Sequence, residues 1–344
     1  MSKTIIAGPC SVESPSQLRD VTLALKSMPE VTMIRAGVWK PRTRPGAFEG
    51  LGEPALGWMR DLSAELGVRY CCEVARPEHV ELCLAYGIDT LWLGARTTTN
   101  PFMVDEICQA LRGSDVHLLV KNPVCPDVRL WLGALERLQK AGIDDLTAVH
   151  RGFSMYNNHG YRNAPLWEVA MELRHERPEL PILCDPSHMG GRADLVGPLA
   201  RAAHQLDYDG LMVEVHPHPS EALTDAAQQI TPQALADVIA HWATTPYPTS
   251  VAEAARALEP LRSKIDDIDH DLISLLTQRM AVSKRIATVK REAHMPVYQQ
   301  ARWADMMNDR LRQATSLGLD ADFIKELLEK IHAASVRVQL ENGK

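Results

Sequence analysis

Side chains that could bind a metal ion follow three of the apolar runs in the sequence. Cys10 follows the first run, His188 comes after the seventh, Glu214 ends the eighth, and Asp225 lies in the loop beyond it. A thiolate together with imidazole and carboxylates suits Mn, Fe, Co or Zn and does not suit Ca. These residues predict a divalent-metal site, if the fold brings the three run ends together. If it does not, Cys10 is a core thiol, His188 a hydrogen-bonded loop residue and Glu214 a salt-bridge partner.

A second set of polar side chains is basic, and its members lie at the ends of other apolar runs or directly after them. A single Arg or Lys is usually only solvated, but cations at four run ends would ring one end of the fold. Arg binds carboxylate and phosphate through two hydrogen bonds, and Lys adds a compact charge. The pattern predicts small, multiply anionic ligands, one bound deep and a second further out near residues 42–44. The basic residues are Arg35, Lys40, Arg42, Arg44, Arg96, Lys121 and Arg151, and Thr43 lies between two of them.

The elements that must position these side chains are eight short apolar runs that alternate with helical patterns over residues 1–243. Eight strands alternating with helices in a segment of this size are typical of an α/β protein with a (β/α)8, or TIM, barrel, in which functional side chains collect where strands end. A doubly wound open sheet is the alternative. The predicted strands centre on residues 5–7, 33–35, 69–74, 90–94, 117–121, 146–150, 181–184 and 210–215.

Composition and charge exclude several classes of protein. The chain has 344 residues and a formal net charge of -7, so the protein as a whole offers no electrostatic case for binding nucleic acid. The sequence has no stretch of 18 apolar residues, so it predicts no membrane span. The short apolar run near the start predicts a first strand rather than a signal peptide. Most of the seven cysteines lie inside apolar runs, which is typical of reduced core thiols in the cytoplasm.

The composition changes after the last predicted strand. Residues 244–251 contain two prolines among Thr and Ser, which predicts a linker between a barrel domain of residues 1–243 and a second domain of residues 252–344. The second domain has no strand pattern, and its apolar residues step by three and four, as on the seam of a long helix that ends at Pro296. Further helices over about residues 299–314 and 324–338 complete an all-α three-helix domain. The seam begins with Leu258, Leu261, Ile265, Ile268, Leu272 and Leu275.

Polar side chains on these helices predict a cationic pocket and a dimer. Arg279 interrupts the apolar seam, where a charge is costly unless it is paired. Snorkelling or a role in fixing the helix register is the alternative for this residue. Arg262 and Lys290 share a flanking stripe four heptads apart, or about 42 Å along one helix, so one ligand reaches both only if an antiparallel second copy lies alongside. Ser335 and Gln339 lie beside the apolar face of the third helix. We therefore expect a homodimer with shared pockets.

Five motifs follow one another along the barrel domain. They are Gly8-Pro9-Cys10-Ser11-Val12-Glu13, Lys40-Pro41-Arg42-Thr43, Gly94-Ala95-Arg96, Asp185-Pro186-Ser187-His188 and Gly210-Leu211-Met212-Val213-Glu214-Val215-His216. Together they resemble the 3-deoxy-D-arabino-heptulosonate 7-phosphate (DAHP) synthases, of the class related to the 3-deoxy-octulosonate 8-phosphate synthases. The resemblance implies a metal-dependent, aldol-like condensation of phosphoenolpyruvate with erythrose 4-phosphate, without an organic cofactor.

The same resemblance implies roles for the polar side chains. Lys40 would donate a proton to the developing alkoxide, and Asp185 would position a water or an aldose hydroxyl. The aldose phosphate would be held by Arg42 and Thr43, with Arg44 as an added contact. The metal ligands would be Cys10, His188, Glu214 and Asp225. Phosphoenolpyruvate would be held by Arg35, Lys40, Arg96, Lys121 and Arg151.

The related octulosonate 8-phosphate synthases, which use arabinose 5-phosphate, are the alternative for the barrel. They carry an Asn-Arg-Ser type segment where this sequence has Lys40-Pro41-Arg42-Thr43, so this sequence favours the four-carbon aldose. Some of them have Asn at the position of Cys10 and need no metal, so Cys10 favours metal dependence.

Six polar residues of the helical domain form a further set: Arg262, Arg279, Lys290, Arg302, Ser335 and Gln339. Their spacing resembles that of the all-helical chorismate mutases, which implies rearrangement of chorismate to prephenate. The three arginines would bind the two carboxylates, Arg262 from the second copy, while Lys290 and Gln339 would face the ether oxygen. Gln299 and Trp303 stand where that family often has Asp and Glu, so a dimerising, regulatory domain with little activity is the alternative. Together the two resemblances imply a bifunctional enzyme of the shikimate pathway, with feedback of prephenate on the barrel.

Overall fold

Eight parallel strands close into a barrel in chain order, and β1 pairs with β8 along its whole length. The structure, a computed structural model, describes residues 3–40, 46–156, 158, 160–243 and 251–341. The predicted (β/α)8 barrel is confirmed, and the open-sheet alternative is wrong. The strands are β1 Thr4–Gly8, β2 Val31–Arg35, β3 Tyr70–Val74, β4 Thr90–Leu93, β5 His117–Lys121, β6 Leu146–His150, β7 Ile182–Cys184 and β8 Gly210–Glu214.

Helices follow the strands and cover the outside of the barrel. Two short 3-10 turns, Pro219–Glu221 and Ala226–Gln228, lie in the loop after β8. Within the described part of the chain, every helix is too short or too polar to cross a lipid bilayer. The helices of the barrel unit are α1 Pro15–Lys26, α2 Glu53–Leu66, α3 Pro77–Ala85, α4 Ala95–Thr98, α5 Pro101–Ala110, α6 Val128–Lys140, α7 Trp167–Glu176, α8 Pro186–Gly190, α9 Ala193–Gln205 and α10 Pro232–Ala243.

The strands read as nearly continuous apolar runs because both of their faces are buried. One face packs against the helices, and the other fills the barrel interior with one side chain from each strand. The seven cysteines are free thiols, and all but Cys125 are buried. The interior side chains are Ile6, Met33, Cys71, Trp92, Leu119, Val149, Leu183 and Met212.

A glycine ends β1 where the chain passes closest to β2. The φ angle of Gly8 is 153°, and a Cβ there would lie 2.1 Å from the carbonyl oxygen of Arg35. Only glycine fits this approach, because any side chain would push the two strands apart. The close contact sets Cys10, just beyond β1, beside Arg35 at the end of β2.

The chain divides into two compact units, residues 1–245 and 246–344. The predicted linker, residues 244–251, lies outside the described residues except for residue 251, so the domain limits at 243 and 252 stay predictions. The second unit is helical, as expected: α11 spans Val251–Glu292, α12 Gln300–Ser316 and α13 Ala321–Glu341. α11 ends earlier than Pro296 because His294 adopts a left-handed φ of 53° and the amide of Met295 closes on the carbonyl of Lys290.

Candidate active sites

The barrel unit brings together all four side chains that were predicted to bind a metal ion. Ligand atoms of Cys10, Glu214 and Asp225 all lie within 4.8 Å of one another at the carboxyl ends of β1 and β8. Sγ of Cys10 lies 3.5 Å from Oδ2 of Asp225, and Nε2 of His188 lies 3.6 Å from Oε1 of Glu214. Residues far apart in sequence meet here because barrel closure places β7, β8 and β1 side by side.

The turn after β7 orients His188. Asp185 is the N-cap of α8, and its Oδ1 accepts a hydrogen bond from the backbone N–H of His188 at 3.0 Å. Its Oδ2 lies 2.7 Å from Nδ1 of the same imidazole. A carboxylate against one ring nitrogen fixes the orientation of a metal-binding histidine. Burial lowers the pKa of His188, so the imidazole is neutral, as metal binding requires.

The charges at this point suit a cation. Burial raises the pKa of Glu214, but His188, Arg35 and Lys40 together bring it down to about 2. Burial, and next the charge of Glu214, raise the pKa of Cys10 to about 12. Oε1 of Glu214 is buried without an aligned hydrogen-bond donor among the described residues, although Nη2 of Arg35 lies 3.1 Å away. A bound divalent cation would supply that partner and deprotonate the thiol, so this donor set fits a metal.

A cavity of about 620 Å³ lies at the carboxyl end of the barrel, and two of these four side chains, His188 and Asp225, line it. Arg35 lies beneath it, fully buried, and its Nε and Nη1 have no hydrogen-bond acceptor among the described residues. Burial lowers the pKa of Arg151 to about 10, and the nearby cations Arg162 and Arg96 lower it too. Asp185 and Glu214 act in the opposite direction but do not offset the lowering of this pKa. Four of the predicted cations line the cavity: Lys40, Arg96, Lys121 and Arg151.

Lys40 lies between the predicted metal ligands and the cavity. Its Nζ is 3.0 Å from Sγ of Cys10 and 3.2 Å from the carbonyl oxygen of the same residue. Burial lowers the pKa of Lys40, but Cys10, Glu214 and Glu73 outweigh that effect and raise the pKa above its ordinary value. The ammonium is therefore protonated and placed to donate. The next predicted site residues, Arg42, Thr43 and Arg44, lie outside the described residues.

Asp185 and Lys121 form a buried ion pair, of which Lys121 lines the cavity. Their Oδ2 and Nζ atoms are 2.9 Å apart, and both side chains are almost completely shielded from solvent. Burial raises the pKa of Asp185, but His188 and Lys121 lower it well below its ordinary value. The carboxylate is therefore ionised and accepts hydrogen bonds from two sides.

The sequence pattern missed several polar neighbours of this site. Arg162 lies 3.3 Å from Oδ1 of Asp225 and donates to Oε1 of Gln228 at 2.5 Å, and Gln228 donates to Oε2 of Glu214 at 2.6 Å. These contacts link two predicted metal ligands, Asp225 and Glu214. Glu73 lines the cavity from the end of β3, the strand whose end received no polar assignment from the sequence.

The helical unit brings together some of the residues predicted to bind chorismate. Arg279 on α11 donates a hydrogen bond to Oγ of Ser335 on α13. Gln339, one turn further along α13, is buried, and its Oε1 has no donor among the described residues. Lys290 donates to the carbonyl oxygen of Val297 at 2.5 Å. The remaining two predicted residues, Arg262 and Arg302, are exposed in the single chain.

One aromatic pair beside these side chains was also missed. His332 stacks on Trp303 with ring centroids 3.9 Å apart, and its Nε2 is buried without a partner among the described residues. Burial, followed by the charges of Arg279 and Lys290, lowers the pKa of His332. The signal was present in the sequence, because His332 lies one helical turn before Ser335 on the same face.

Two family models match this chain, and together they cover most of it. The model described as the DAHP synthetase I family matches residues 2–247. The model described as chorismate mutase type II matches residues 261–340.

Individual relatives divide in the same way. The chain is 34% identical over 228 residues to a phospho-2-dehydro-3-deoxyheptonate aldolase of Thermotoga maritima, covering 66% of this chain and 65% of that protein. It is 34% identical over 74 residues to a T-protein of Haemophilus influenzae, covering 22% of this chain and 20% of that protein. The crystal structure of a Thermotoga maritima DAHP synthase superposes with a TM-score of 0.62 at 30% identity, covering 70% of this chain and 68% of that one.

Proposed function

The chain belongs to the DAHP synthetase I family, and a type II chorismate mutase domain follows the barrel in the sequence; we therefore propose that it catalyses two reactions of the shikimate pathway. The barrel condenses phosphoenolpyruvate with erythrose 4-phosphate to give DAHP and phosphate. The helical domain rearranges chorismate to prephenate. The observation that carries the first assignment is a cavity of about 620 Å³ that is lined by four of the predicted cations and by His188 and Asp225, with Cys10 and Glu214 beside Asp225.

Phosphoenolpyruvate is the ligand that the cations favour, because its carboxylate and phosphate together carry about three negative charges near neutral pH. Arg35, with two buried N–H donors still without acceptors, offers hydrogen bonds from below. Arg96, Lys121 and Arg151 offer further donors from the ends of the neighbouring strands. An anion bound here also offsets the burial and the repulsion from Arg162 and Arg96 that lower the pKa of Arg151.

The cation that Cys10, His188, Glu214 and Asp225 would hold, of the Mn, Fe, Co or Zn class, supplies Lewis acidity that polarises the aldehyde of the aldose when bound. The chain's own residues handle the protons. The enol carbon of phosphoenolpyruvate forms the new bond to the aldehyde carbon, and Lys40 donates its proton to the resulting alkoxide. Water adds to the cationic carbon that remains. One proton of that water restores Lys40 and the other leaves with phosphate, as the C–O bond to phosphate breaks and the ketone forms. Asp185, ionised between Lys121 and His188, accepts a hydrogen bond from that water or from an aldose hydroxyl.

The phosphate of the aldose binds further out, at Arg42, Thr43 and Arg44, directly after Lys40 in the sequence. A chain of four carbons, rather than the five of arabinose 5-phosphate, is the substrate that the Lys40-Pro41-Arg42-Thr43 segment favours.

The helical site suits a dicarboxylate whose rearrangement needs no nucleophile. Arg279, with Arg262 from a second copy and Arg302, binds the two carboxylates, and Ser335 fixes the guanidinium of Arg279. Lys290 and Gln339 face the ether oxygen, where negative charge builds as the C–O bond breaks. The buried, unpartnered Oε1 of Gln339 supports catalysis over a purely regulatory role, because binding of carboxylates alone does not need this amide.

A homodimer through the helical domain completes this site. The seam of α11 is exposed in the single chain: Leu261 is 59% exposed, Ile265 57% and Leu275 60%. Apolar side chains in a continuous row are unfavourable in water unless a partner covers them. An antiparallel second copy covers the seam and brings its Arg262 to the end of α11 where Lys290 lies. The free thiols suit the reducing cytoplasm, to which we assign the enzyme.

Prephenate bound in the helical domain would inhibit the barrel, since the two activities are joined in one chain. The measurement is the initial rate of condensation at increasing prephenate. An unchanged rate at saturating prephenate removes the feedback from the proposal and leaves both activities standing.

Both activities are tested on one preparation of the full chain. Condensation is followed as loss of phosphoenolpyruvate with erythrose 4-phosphate or arabinose 5-phosphate, and rearrangement as loss of chorismate. We expect turnover with the four-carbon aldose and with chorismate. Lys290→Ala should lose only the second activity, while Lys284→Ala, at an exposed position of the same helix, should keep both. A wild-type chain that leaves chorismate unchanged makes the helical domain a regulatory and dimerising module.

A further inference from the structure

Trp92 on β4 lies inside the barrel, beneath the cavity that holds the predicted anion site. Its side chain is fully buried, and it belongs to the eight interior residues. The sequence offers no reason to single it out, since a tryptophan in a buried strand usually fills space. Three of its neighbours are nevertheless polar: Arg35, Lys121 and Glu73.

Two cations contact the π system of this indole. Cζ of Arg35 lies 5.0 Å from the ring centroid, and Nζ of Lys121 lies 5.7 Å from it. Both distances are within the range in which the negative face of an indole attracts a cation, and the effect is largest where water is excluded. The ring therefore contacts both cations, each of which is also paired with a carboxylate: Arg35 with Glu214 at 3.1 Å and Lys121 with Asp185 at 2.9 Å.

The edge of the same ring holds an acid. Nε1 of Trp92 donates a hydrogen bond to Oε2 of Glu73 at 3.1 Å. The other oxygen of Glu73 lies against the backbone of Gly94, since a Cβ on that glycine would be 2.4 Å from it. Glu73 is thereby fixed along the wall of the cavity, which it lines together with Lys40.

We propose that Trp92 is a positioning residue of the condensation site, which sets Arg35 and Lys121 from its face and Glu73 from its edge so that the cavity is arranged before phosphoenolpyruvate binds. This inference rests on the proposed function of the barrel. Preorganised donors bind an anion more tightly than donors that must be ordered on binding. Removal of the ring face therefore weakens phosphoenolpyruvate binding, and removal of the N–H alone releases Glu73 and leaves the cations in place.

Three variants of the full chain separate positioning from simple packing. Trp92→Leu removes both the face and the N–H, and Trp92→Phe keeps an aromatic face without the donor. Trp131→Phe is the matched control, because Trp131 is equally buried and its Nε1 donates to the carbonyl oxygen of Val120 at 3.1 Å, away from the cavity. For each protein, the Kd of phosphoenolpyruvate is measured by calorimetry, kcat of the condensation by loss of phosphoenolpyruvate, and Tm by circular dichroism.

We expect Trp92→Leu to raise the Kd of phosphoenolpyruvate about tenfold, which corresponds to about 1.4 kcal/mol. The Kd of Trp92→Phe should stay within about threefold of the wild-type value. Its kcat should fall by a larger factor than its Kd rises, because Glu73 has lost the hydrogen bond from the indole N–H. Trp131→Phe should lower Tm and leave Kd unchanged.

Equal Kd values for wild type and a folded Trp92→Leu overturn the inference and leave the proposed function intact. A Trp131→Phe variant that weakens binding as much as Trp92→Leu also overturns it, since general softening of the barrel then accounts for the loss. If Trp92→Leu does not fold, Trp92→Phe decides: an unchanged kcat contradicts the role of the N–H. Failure of the wild-type protein to bind phosphoenolpyruvate contradicts the proposed function itself.

Discussion

Replacement of Glu214 by glutamine should destabilise the barrel strongly even in the absence of any ligand. Glu214 is completely buried, and Arg35, 1% exposed, is its ion-pair partner at 3.1 Å. Removal of one partner of a buried pair leaves an uncompensated charge and costs about 3–5 kcal/mol. A second route gives a similar figure: depression of the pKa of Glu214 from 4.5 to about 2 corresponds to about 3 kcal/mol in favour of the ionised form.

The assay is urea unfolding of the full chain without added metal, followed by tryptophan fluorescence. All tryptophans except Trp303 lie in the barrel unit, so this signal reports mainly on the barrel. Glu65→Gln is the control, because it makes the same chemical change at an ion pair with Arg19 whose side chains are about half exposed. Exposed pairs contribute less than about 1 kcal/mol. If Glu214→Gln and Glu65→Gln unfold at the same urea concentration, the assignment of a tightly coupled buried cluster is wrong.

Three further predictions concern pH, the second active site and assembly. His150 is fully buried, and burial lowers its pKa to about 3, so only the unfolded chain takes up a proton at this residue between about pH 6.5 and 3. The free energy of unfolding of the wild type should therefore fall by about 1.4 kcal/mol per pH unit more than that of His150→Gln as the pH falls through that window. Urea unfolding at several pH values measures this difference. Arg279→Ala should reduce kcat/KM for chorismate at least a hundredfold, because the partly buried guanidinium and its bond to Ser335 are lost, while the rate of DAHP formation measured on the same sample stays unchanged. Equal loss of both rates would point to misfolding. Ile268→Glu, at a seam position that is 50% exposed in the single chain, should roughly halve the mass measured by light scattering and abolish chorismate consumption, and a variant that keeps the wild-type mass contradicts the dimer through α11.

The strands could be predicted from the sequence because each is buried on both faces and therefore reads as a short apolar run. The convergence of Cys10, His188, Glu214 and Asp225 followed from barrel closure, since strand ends of a closed parallel barrel share one rim. This reasoning needs only strand order and not side-chain detail. The proximity of these four side chains could therefore be predicted, although Cys10 and Asp225 lie at opposite ends of the barrel segment of the sequence.

Trp92 and Gln228 could not be found in the same way. Each contacts an acidic side chain of the site, Trp92 through its indole N–H and Gln228 through its amide. Such contacts depend on distances of a few ångströms, which the spacing of residues in the sequence does not predict. Glu73 could have been predicted, because it lies near the end of β3, where a polar side chain is expected in a barrel site. His332 could have been found, because it lies one helical turn before Ser335 on the same face, although a histidine on a helix face is usually structural.

The condensation rate of the full chain before and after removal of metal tests the central proposal most directly. The enzyme is treated with a chelator, dialysed and assayed with phosphoenolpyruvate and erythrose 4-phosphate, then assayed again after addition of Mn²⁺, with chorismate consumption measured on the same samples. We expect chelation to abolish condensation, Mn²⁺ to restore it, and chorismate consumption to be unaffected throughout. Full condensation activity in the chelated enzyme, at a metal content below one tenth of the protein, would contradict the metal-dependent site built from Cys10, His188, Glu214 and Asp225.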